Sequence, residues 1–252
     1  TGLSLRSSTI TNNVFFDIDH PIDCRYPNWT AGEGYYESTV SNNIIINADE
    51  GAISITGSPT ITYNTIVSSE LAISIPNEIT AVSYSPVINY NNMFDNTKNV
   101  DVSVTRTEQP DPINGENNYW GDPTVNIAAL ITDYNDDFNL AELDIDPFLT
   151  SPNTTAPISP PTGVSQTSSS GNYVISWSAN PESDIVGYKV YYGGYTGYSF
   201  SNVKDVGNTT SYDMTAAGLA SYSDSVVAVT AYDINIDGTD DQVEGYESWF
   251  AI

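Results

Sequence analysis

The residues whose types and spacing best suit a chemical task lie in one acidic loop near the end of the chain. Asp233, Asn235 and Asp237 alternate ahead of Gly238, and Glu244 follows after five intervening residues. This pattern is typical of loops that wrap Ca²⁺, because the ion takes about six to eight oxygen ligands and glycine permits the sharp turn. The predicted oxygen donors are Asp233, Asn235, Asp237, the carbonyl of Thr239, Asp241 and Glu244. The alternative is a solvated hairpin loop, since the same residues form turns and the flanking segments have the pattern of strands.

A second group of polar and aromatic residues lies in the long segment that follows Phe15. Aromatic rings stack on the apolar faces of sugar rings, and carboxylates accept hydrogen bonds from sugar hydroxyls. The segment therefore predicts a glycan-binding loop. The alternative is a loop that packs its own aromatic residues against the protein. The residues concerned are Asp17, Asp19, His20, Tyr26, Trp29, Tyr35 and Tyr36.

Residues that enzymes commonly use for catalysis are scarce. The chain contains one histidine, one cysteine and six Lys and Arg residues in total. A nucleophilic triad pairs its nucleophile with a base, and a polysaccharide lyase needs a base and a cation for the substrate carboxylate. Hydrolases with two catalytic carboxylates need them close together, and we find no such pair on the predicted strands. We therefore name no catalytic residue and favour a protein without enzymatic activity.

The net charge of the chain is −26, from 6 basic and 32 acidic residues, although only 15% of its residues are charged. The acidity thus comes from a shortage of Lys and Arg. Nucleic-acid binding is excluded because clustered cations are needed to neutralise phosphates, and no apolar run approaches the roughly 18 residues of a membrane span. The single cysteine, Cys24, is expected to be a packed residue. This composition favours an extracellular or cell-surface location.

A repeated pattern supplies the elements that must position these residues. It reads apolar, polar, polar, Asn, any residue, apolar, and period-two strands such as Ile53–Ile55 precede most copies. The pattern predicts a solenoid of short strands whose successive turns pair in parallel. We expect the asparagines at the corners, because Asn tolerates a left-handed backbone and its amide can bond the same amide one turn away. The aligned asparagines are Asn13, Asn43, Asn64, Asn91 and Asn118.

The two ends of the predicted solenoid differ. Residues 2–5 align with the middle of a turn and lack the polar cap that a solenoid end needs, so we expect the chain to be the C-terminal part of a longer solenoid. At the other end, residues 126–131 predict a short amphipathic helix. We expect Trp120, Phe138 and Phe148 to plug the core there.

A change of pattern follows the solenoid. Residues 151–160 are uncharged and rich in Pro, Ser and Thr, which predicts an extended, stiff linker. Three segments with strand-like alternation come next, at residues 173–177, 185–192 and 225–233, and turn-forming residues separate them. This spacing predicts a β-sandwich over residues 161–252.

Both regions resemble known families. Residues 1–150 are similar to the right-handed parallel β-helix repeats of pectate-lyase-like and related surface proteins, and residues 51–66 form the best copy. Residues 161–252 resemble a fibronectin type III module, through Pro161, Trp177, residues 187–191 and residues 227–231. The corner tyrosine of that family is replaced by Ser225. The resemblance implies an all-β protein: C-terminal turns and cap of a right-handed parallel β-helix, linked to a fibronectin type III-like β-sandwich.

These expectations favour a non-catalytic fragment of an extracellular or cell-surface protein with a structural or adhesive role, stabilised by calcium. Its expected partners are other surface proteins or a polysaccharide, and self-association is left open. One alternative is the C-terminal part of a secreted polysaccharide lyase or glycoside hydrolase. Another is a carbohydrate-binding accessory module.

Overall fold

A computed structural model of the chain describes residues 3–4, 7–24, 37–77, 85–122, 124–169, 171–223 and 225–252. This part of the chain consists mainly of strands and turns. Its helices are one α-helix, α1 (Asp241–Glu244), and the 3₁₀ helices Ile127–Leu130 and Ala220–Tyr222. None of these is long and apolar enough to cross a membrane. The expected all-β class is confirmed, and the chain divides into two compact units, Thr1–Ala156 and Pro157–Ile252.

The strands of the first unit are short, from two to five residues. In chain order they are β1 (Leu3–Ser4), β2 (Thr9–Thr11), β3 (Val14–Phe16), β4 (Ile22–Cys24), β5 (Thr39–Ser41), β6 (Ile44–Ile46), β7 (Ile53–Ile55), β8 (Thr60–Thr62), β9 (Thr65–Val67), β10 (Leu71–Ile75), β11 (Val87–Asn89), β12 (Asn92–Phe94), β13 (Lys98–Val102), β14 (Ile113–Asn114), β15 (Ile131–Thr132) and β16 (Leu143–Asp144).

These strands form three parallel sheets. Their orders are β1-β4-β7-β10-β13-β15, β16-β14-β11-β8-β5-β2 and β12-β9-β6-β3. Through most of the unit, each strand pairs with the strand three places later in the chain, so each turn contributes one strand to every sheet. The predicted parallel solenoid is confirmed, with about four turns.

Each copy of the repeat forms a strand, a corner and a second strand. In the copy that begins at Ile61, β8 ends before Asn64 and β9 begins after it, and both Ile61 and Ile66 are fully buried. The asparagine is not the residue with the left-handed backbone, so that expectation was wrong. The residue before it has the positive φ, from 54° to 62°, in all five copies: Asn12, Asn42, Tyr63, Tyr90 and Asn117. The repeat asparagine instead directs its side-chain amide toward the equivalent asparagine of the next turn.

The core of the first unit is a column of aliphatic side chains inside the solenoid, mainly isoleucine and valine from the three sheets. Trp120 belongs to this column and is only 1% exposed. Phe138 and Phe148 are 76% and 38% exposed, so the expectation that they plug the core was wrong. The predicted helix at residues 126–131 is a single 3₁₀ turn with no fully buried residue, although Ile127 packs against the core.

The proline-rich segment contacts the first unit near its start and the second unit near its end, with a turn in which the Ala156 N–H donates to the Asn153 carbonyl. Asn153 is fixed to the solenoid, because its backbone N–H donates to the Asn92 side chain at 2.7 Å and its carbonyl accepts from Asn92 Nδ2 at 3.0 Å. Ile158 is buried in the core of the second unit. The reason is that Ile158 is an apolar side chain that packing can remove from water.

The second unit contains two antiparallel sheets of three strands. The strands are β17 (Ser165–Ser169), β18 (Asn172–Ser176), β19 (Gly187–Tyr192), β20 (Asn202–Gly207), β21 (Ser211–Asp213) and β22 (Val227–Tyr232). Sheet β17-β18-β21 and sheet β20-β19-β22 enclose one core that includes Tyr173, Ile175, Tyr188 and Val229. The last residues of the chain extend the second sheet through antiparallel bridges from Glu247 to Tyr232 and from Ala251 to Val229.

The carboxylate of Glu182, in the second unit, is deeply buried. Glu182 accepts a hydrogen bond from the Ser159 N–H at 2.9 Å, and burial raises the pKa of its carboxyl group. The folded protein therefore holds the Glu182 proton more tightly than the unfolded chain, so this group lowers stability as the pH rises through the ordinary glutamate range. Glu182→Gln keeps an acceptor for Ser159 and removes the charge.

We expect Glu182→Gln to be more stable than the unmodified protein at about pH 7, by an amount of order 1 kcal/mol, because the buried charge is removed. The difference should shrink toward about pH 4, where the unmodified carboxyl group is increasingly protonated. Urea unfolding at both pH values measures this change. A stability difference that does not vary with pH would contradict the assignment.

Candidate functional site

The five repeat asparagines form a continuous hydrogen-bonded ladder along one corner of the solenoid. Each of the first four side-chain amides donates to the Oδ1 of the next asparagine, at 3.1, 2.9, 2.9 and 3.0 Å in chain order. Each backbone N–H donates to the same Oδ1 atom. Asn43, Asn64, Asn91 and Asn118 have no exposed surface, whereas Asn13 is exposed. The ladder couples every described turn to its neighbour through buried polar contacts.

A second corner carries a shorter ladder of mixed composition. Ser69 Oγ accepts from the Ala48 N–H at 3.1 Å, and Asn96 Oδ1 accepts from the Ser69 N–H at 2.9 Å. Left-handed residues again precede these positions, at Asn47, Ser68 and Asp95. Because Ala, Ser and Asn alternate at the equivalent position, no single-residue repeat in the sequence marks this corner.

In the acidic loop, the carboxylates bond backbone N–H groups of the loop itself. Asp233 Oδ1 accepts from the Asn235 N–H at 2.7 Å, and Asp237 Oδ1 accepts from the Thr239 N–H at 2.8 Å. Asp241 is buried and accepts from the N–H groups of Asp237 and Gly238. Gly238 has a φ of 88°, a conformation that favours glycine. Glu244 lies at the end of α1 and is exposed.

The loop lies between β22 and the final bridged segment, so its flanks are extended, as the sequence pattern indicated. Desolvation, followed by the charge of Asp233, raises the pKa of Asp184, which places a further carboxyl group within electrostatic range of the loop. No group of three or more His, Cys, Asp or Glu side chains in a metal-holding arrangement occurs among the described residues. The predicted calcium donors share one loop but are not gathered into such an arrangement. Occupation of the loop by an ion stays a prediction.

The residues of the predicted glycan-binding loop are only partly described. Asp17 accepts from the Asn47 side chain at 2.8 Å, and His20 Nε2 contacts the Glu50 carboxylate. Asp19 is exposed. The aromatic members of the set, Tyr26, Trp29, Tyr35 and Tyr36, lie outside the described residues. Cys24 is buried, and burial next to Asp23 raises the pKa of its thiol to about 12, as suits a packed side chain.

Six aromatic rings form a connected cluster on the second unit, here called the aromatic platform. On β19, Tyr188 and Val190 belong to the core, so Tyr191 faces the opposite side of its sheet. Its ring meets the Phe250 ring edge-on at a centroid distance of 4.9 Å. The members of the platform are Tyr191, Tyr195, Tyr198, Phe200, Trp249 and Phe250.

A buried charge network lies beside the platform. The Glu247 carboxylate accepts from Tyr191 Oη and from Thr230 Oγ1, both at 2.6 Å, and it forms an ion pair with Lys189. Only 4% of the Glu247 side chain is exposed. Burial and the Glu247 hydrogen bond raise the pKa of Tyr191, so its hydroxyl stays a donor at all ordinary pH values. The network fixes the hydroxyl end of Tyr191 and thereby the orientation of its ring.

Residues 188–198 contain five tyrosines, but the local sequence does not indicate Phe200, Trp249 and Phe250 as their partners. The signal available was the aromatic pair at residues 249–250, close to the chain end. Its contact with residues 191–200 depends on the final segment returning to β22, which no local pattern indicates.

In comparisons with known proteins, no protein-family model, curated protein or solved structure matched the chain.

Proposed function

We propose that this protein has a non-catalytic structural and adhesive role at the cell surface or outside the cell. The observation that carries the proposal is the asparagine ladder, which bonds successive turns through fully buried amides. A solenoid whose turns are bonded in this way resists bending and suits a spacer that displays an attached module. The module, Pro157–Ile252, then makes the contacts to protein or glycan.

We also propose a specific fold type for each unit. A right-handed parallel β-helix is favoured for the first unit, because connections between parallel strands are nearly always right-handed. A fibronectin type III-like module is favoured for the second unit. Supporting it are the two antiparallel sheets, the buried Trp177 on the segment after β18, and the strand order that places β19 between β20 and β22.

The surface location rests on charge. A net charge of −26 with only six Lys and Arg residues suits a protein exposed to a salty medium, where screening over about 8–10 Å limits self-repulsion. Protease treatment of intact source cells should remove the protein from the surface fraction. The protein should release neither unsaturated products nor new reducing ends from uronate-containing or neutral polysaccharides. Turnover of any of these would favour the lyase or hydrolase alternative and overturn the non-catalytic assignment.

Calcium is the proposed ligand of the acidic loop, held by Asp233, Asn235, Asp237, Thr239, Asp241 and Glu244. Calcium sites of extracellular modules bind with dissociation constants of about 10⁻⁴–10⁻³ M. At a calcium concentration about ten times the dissociation constant, binding adds about 1.4 kcal/mol to the stability of the folded state. For a unit of this size that gain raises the melting temperature by about 5–10 °C.

Asp237→Asn tests the calcium assignment. Asparagine keeps an oxygen that accepts from the Thr239 N–H, so the loop should fold, while the charge that attracts the ion is removed. We expect the calcium-dependent rise in melting temperature to fall by at least half. Asp111→Asn is the matched control, since Asp111 is exposed on the solenoid. An equal calcium response in all three proteins, or none in the unmodified protein, would rule out this site.

A further inference from the structure

We propose that the aromatic platform binds a neutral polysaccharide by stacking its rings on pyranose faces. This inference rests on the proposed function and names the ligand class of the contact module. It uses residues different from those of the loop that follows Phe15.

The platform is built by contacts among rings from two distant segments. Phe250 is surrounded by Tyr191, Phe200 and Trp249 at centroid distances of 4.9, 5.3 and 5.2 Å. Tyr198 stacks on Phe250, with an interplanar angle of 19° and a centroid distance of 6.4 Å. Phe250 is therefore the buried base, and Tyr195 at the edge is 37% exposed. The rings support one another and present a surface whose shape is fixed before a ligand arrives.

Tyr198 occupies a backbone conformation that a bulky residue seldom adopts. It has a φ of 61° and Gly197 has a φ of 54°, at the tip of a tight hairpin closed by hydrogen bonds between Thr196 and Ser199. Gly and Asn are the residues that such two-residue turns prefer. A tyrosine there costs conformational energy, and strain of this kind concentrates at functional sites. The ring contacts of Tyr198 with Trp249 and Phe250 hold it in place.

The size of the platform favours a sugar chain over a protein partner. An aromatic side chain contributes about 150–250 Å² when fully exposed. None of the six rings is much more than one-third exposed, so together they present roughly 400 Å² or less. A stable protein interface needs about 800 Å² on each partner. The smaller area matches a few sugar units of an extended chain.

The charge of the surrounding residues favours a neutral ligand. Residues 191–202 contain only Tyr, Gly, Thr, Ser, Phe and Asn. The carboxylate that hydrogen-bonds a platform residue, Glu247, is buried and paired with Lys189. The protein as a whole is strongly acidic, so it repels anionic polysaccharides and further copies of itself. A neutral polysaccharide pays no such electrostatic penalty.

The test uses the full chain and a panel of soluble neutral polysaccharides (xylan, mannan, β-glucan and starch), with alginate and polygalacturonate as anionic counterparts. Affinity electrophoresis and tryptophan fluorescence report binding. We expect at least one neutral polysaccharide to bind with an affinity that does not change with salt. Tyr198→Gly and Trp249→Ala should each weaken that binding at least tenfold.

Two controls separate loss of the ligand contact from loss of the fold. Glycine suits the φ of residue 198, so Tyr198→Gly should keep the hairpin and retain the near-native circular dichroism spectrum. Phe138→Ala removes a more exposed ring on the solenoid and should leave binding unchanged.

The inference is overturned if no neutral polysaccharide binds, if the variants bind as well as the unmodified protein, or if only anionic polysaccharides or only proteins bind. The proposed surface role is tested separately, by protease treatment of cells and by turnover assays. A protein that is surface-exposed and inactive but binds no neutral polysaccharide refutes the ligand assignment alone.

Discussion

Asn64→Ala is expected to lower the free energy of unfolding of the solenoid by about 4 kcal/mol or more. Asn64 Oδ1 accepts from both the backbone and the side chain of Asn43, and Asn64 Nδ2 donates to the Val40 carbonyl and to Asn91 Oδ1. Alanine would leave the buried Asn43 N–H without its acceptor, which costs about 1–3 kcal/mol, and would remove three further buried hydrogen bonds worth about 1 kcal/mol each. Losses of this size are exceptional for a single substitution.

Asn13→Ala is the matched control, because it removes the same side chain from the exposed end of the ladder. Water replaces the lost contacts of Asn13, so a loss of about 1 kcal/mol is expected there. Urea unfolding gives both values, and hydrogen exchange over residues 37–77 locates the effect. Equal losses at the two positions, or a loss below about 1 kcal/mol at Asn64, would show that the ladder does not couple the turns.

The buried pair of Lys189 and Glu247 is expected to give the second large effect. Removing one partner of a buried ion pair leaves the other charge uncompensated and costs about 3–5 kcal/mol. Glu247→Gln leaves the Lys189 ammonium, 17% exposed, without its carboxylate. Lys189→Met leaves Glu247 with only the hydroxyl donors of Tyr191 and Thr230. Each single variant should therefore unfold at clearly lower urea concentration.

The double variant Lys189→Met/Glu247→Gln removes both charges together. We expect it to lose less stability than the sum of the single variants, by at least about 2 kcal/mol, because neither charge is stranded. Lys204→Met is the control, since Lys204 is exposed on β20 and its substitution should change stability by no more than about 0.5 kcal/mol. Additive losses in the double variant would mean that the two residues are not coupled.

The solenoid was predictable because its information is local and repeated. Each copy of the pattern supplies two inward apolar residues and one corner asparagine, as Ile61, Asn64 and Ile66 illustrate. Stacking of equivalent turns is the arrangement that buries such a face. The left-handed residue was misplaced by one position, since Tyr63 and Tyr90 adopt that conformation despite being poor candidates by residue type. The corner geometry, stabilised by the adjacent turn, overrides this local preference.

The capping residues illustrate the opposite case. Trp120, Phe138 and Phe148 are equally apolar in sequence, yet only Trp120 is buried. Whether each of these rings is buried depends on the path that residues 126–149 take at the end of the solenoid. That path is set by contacts such as the bond from Leu143 N–H to Asp133, ten residues away. Hydrophobicity by itself does not specify which of the three rings is buried.

The sequence by itself determined the all-β class, the parallel solenoid and the asparagines that bond along it, because these follow from periodicity and from spacing along one chain segment. Only the tertiary structure decided the aromatic platform and the Lys189–Glu247 pair. Both join residues about 50 to 60 positions apart, and they form when the final segment returns to β22 through the Tyr232–Glu247 bridge. The packing of the whole unit determines which distant strands pair. The local sequence around each strand therefore does not show which strand it pairs with.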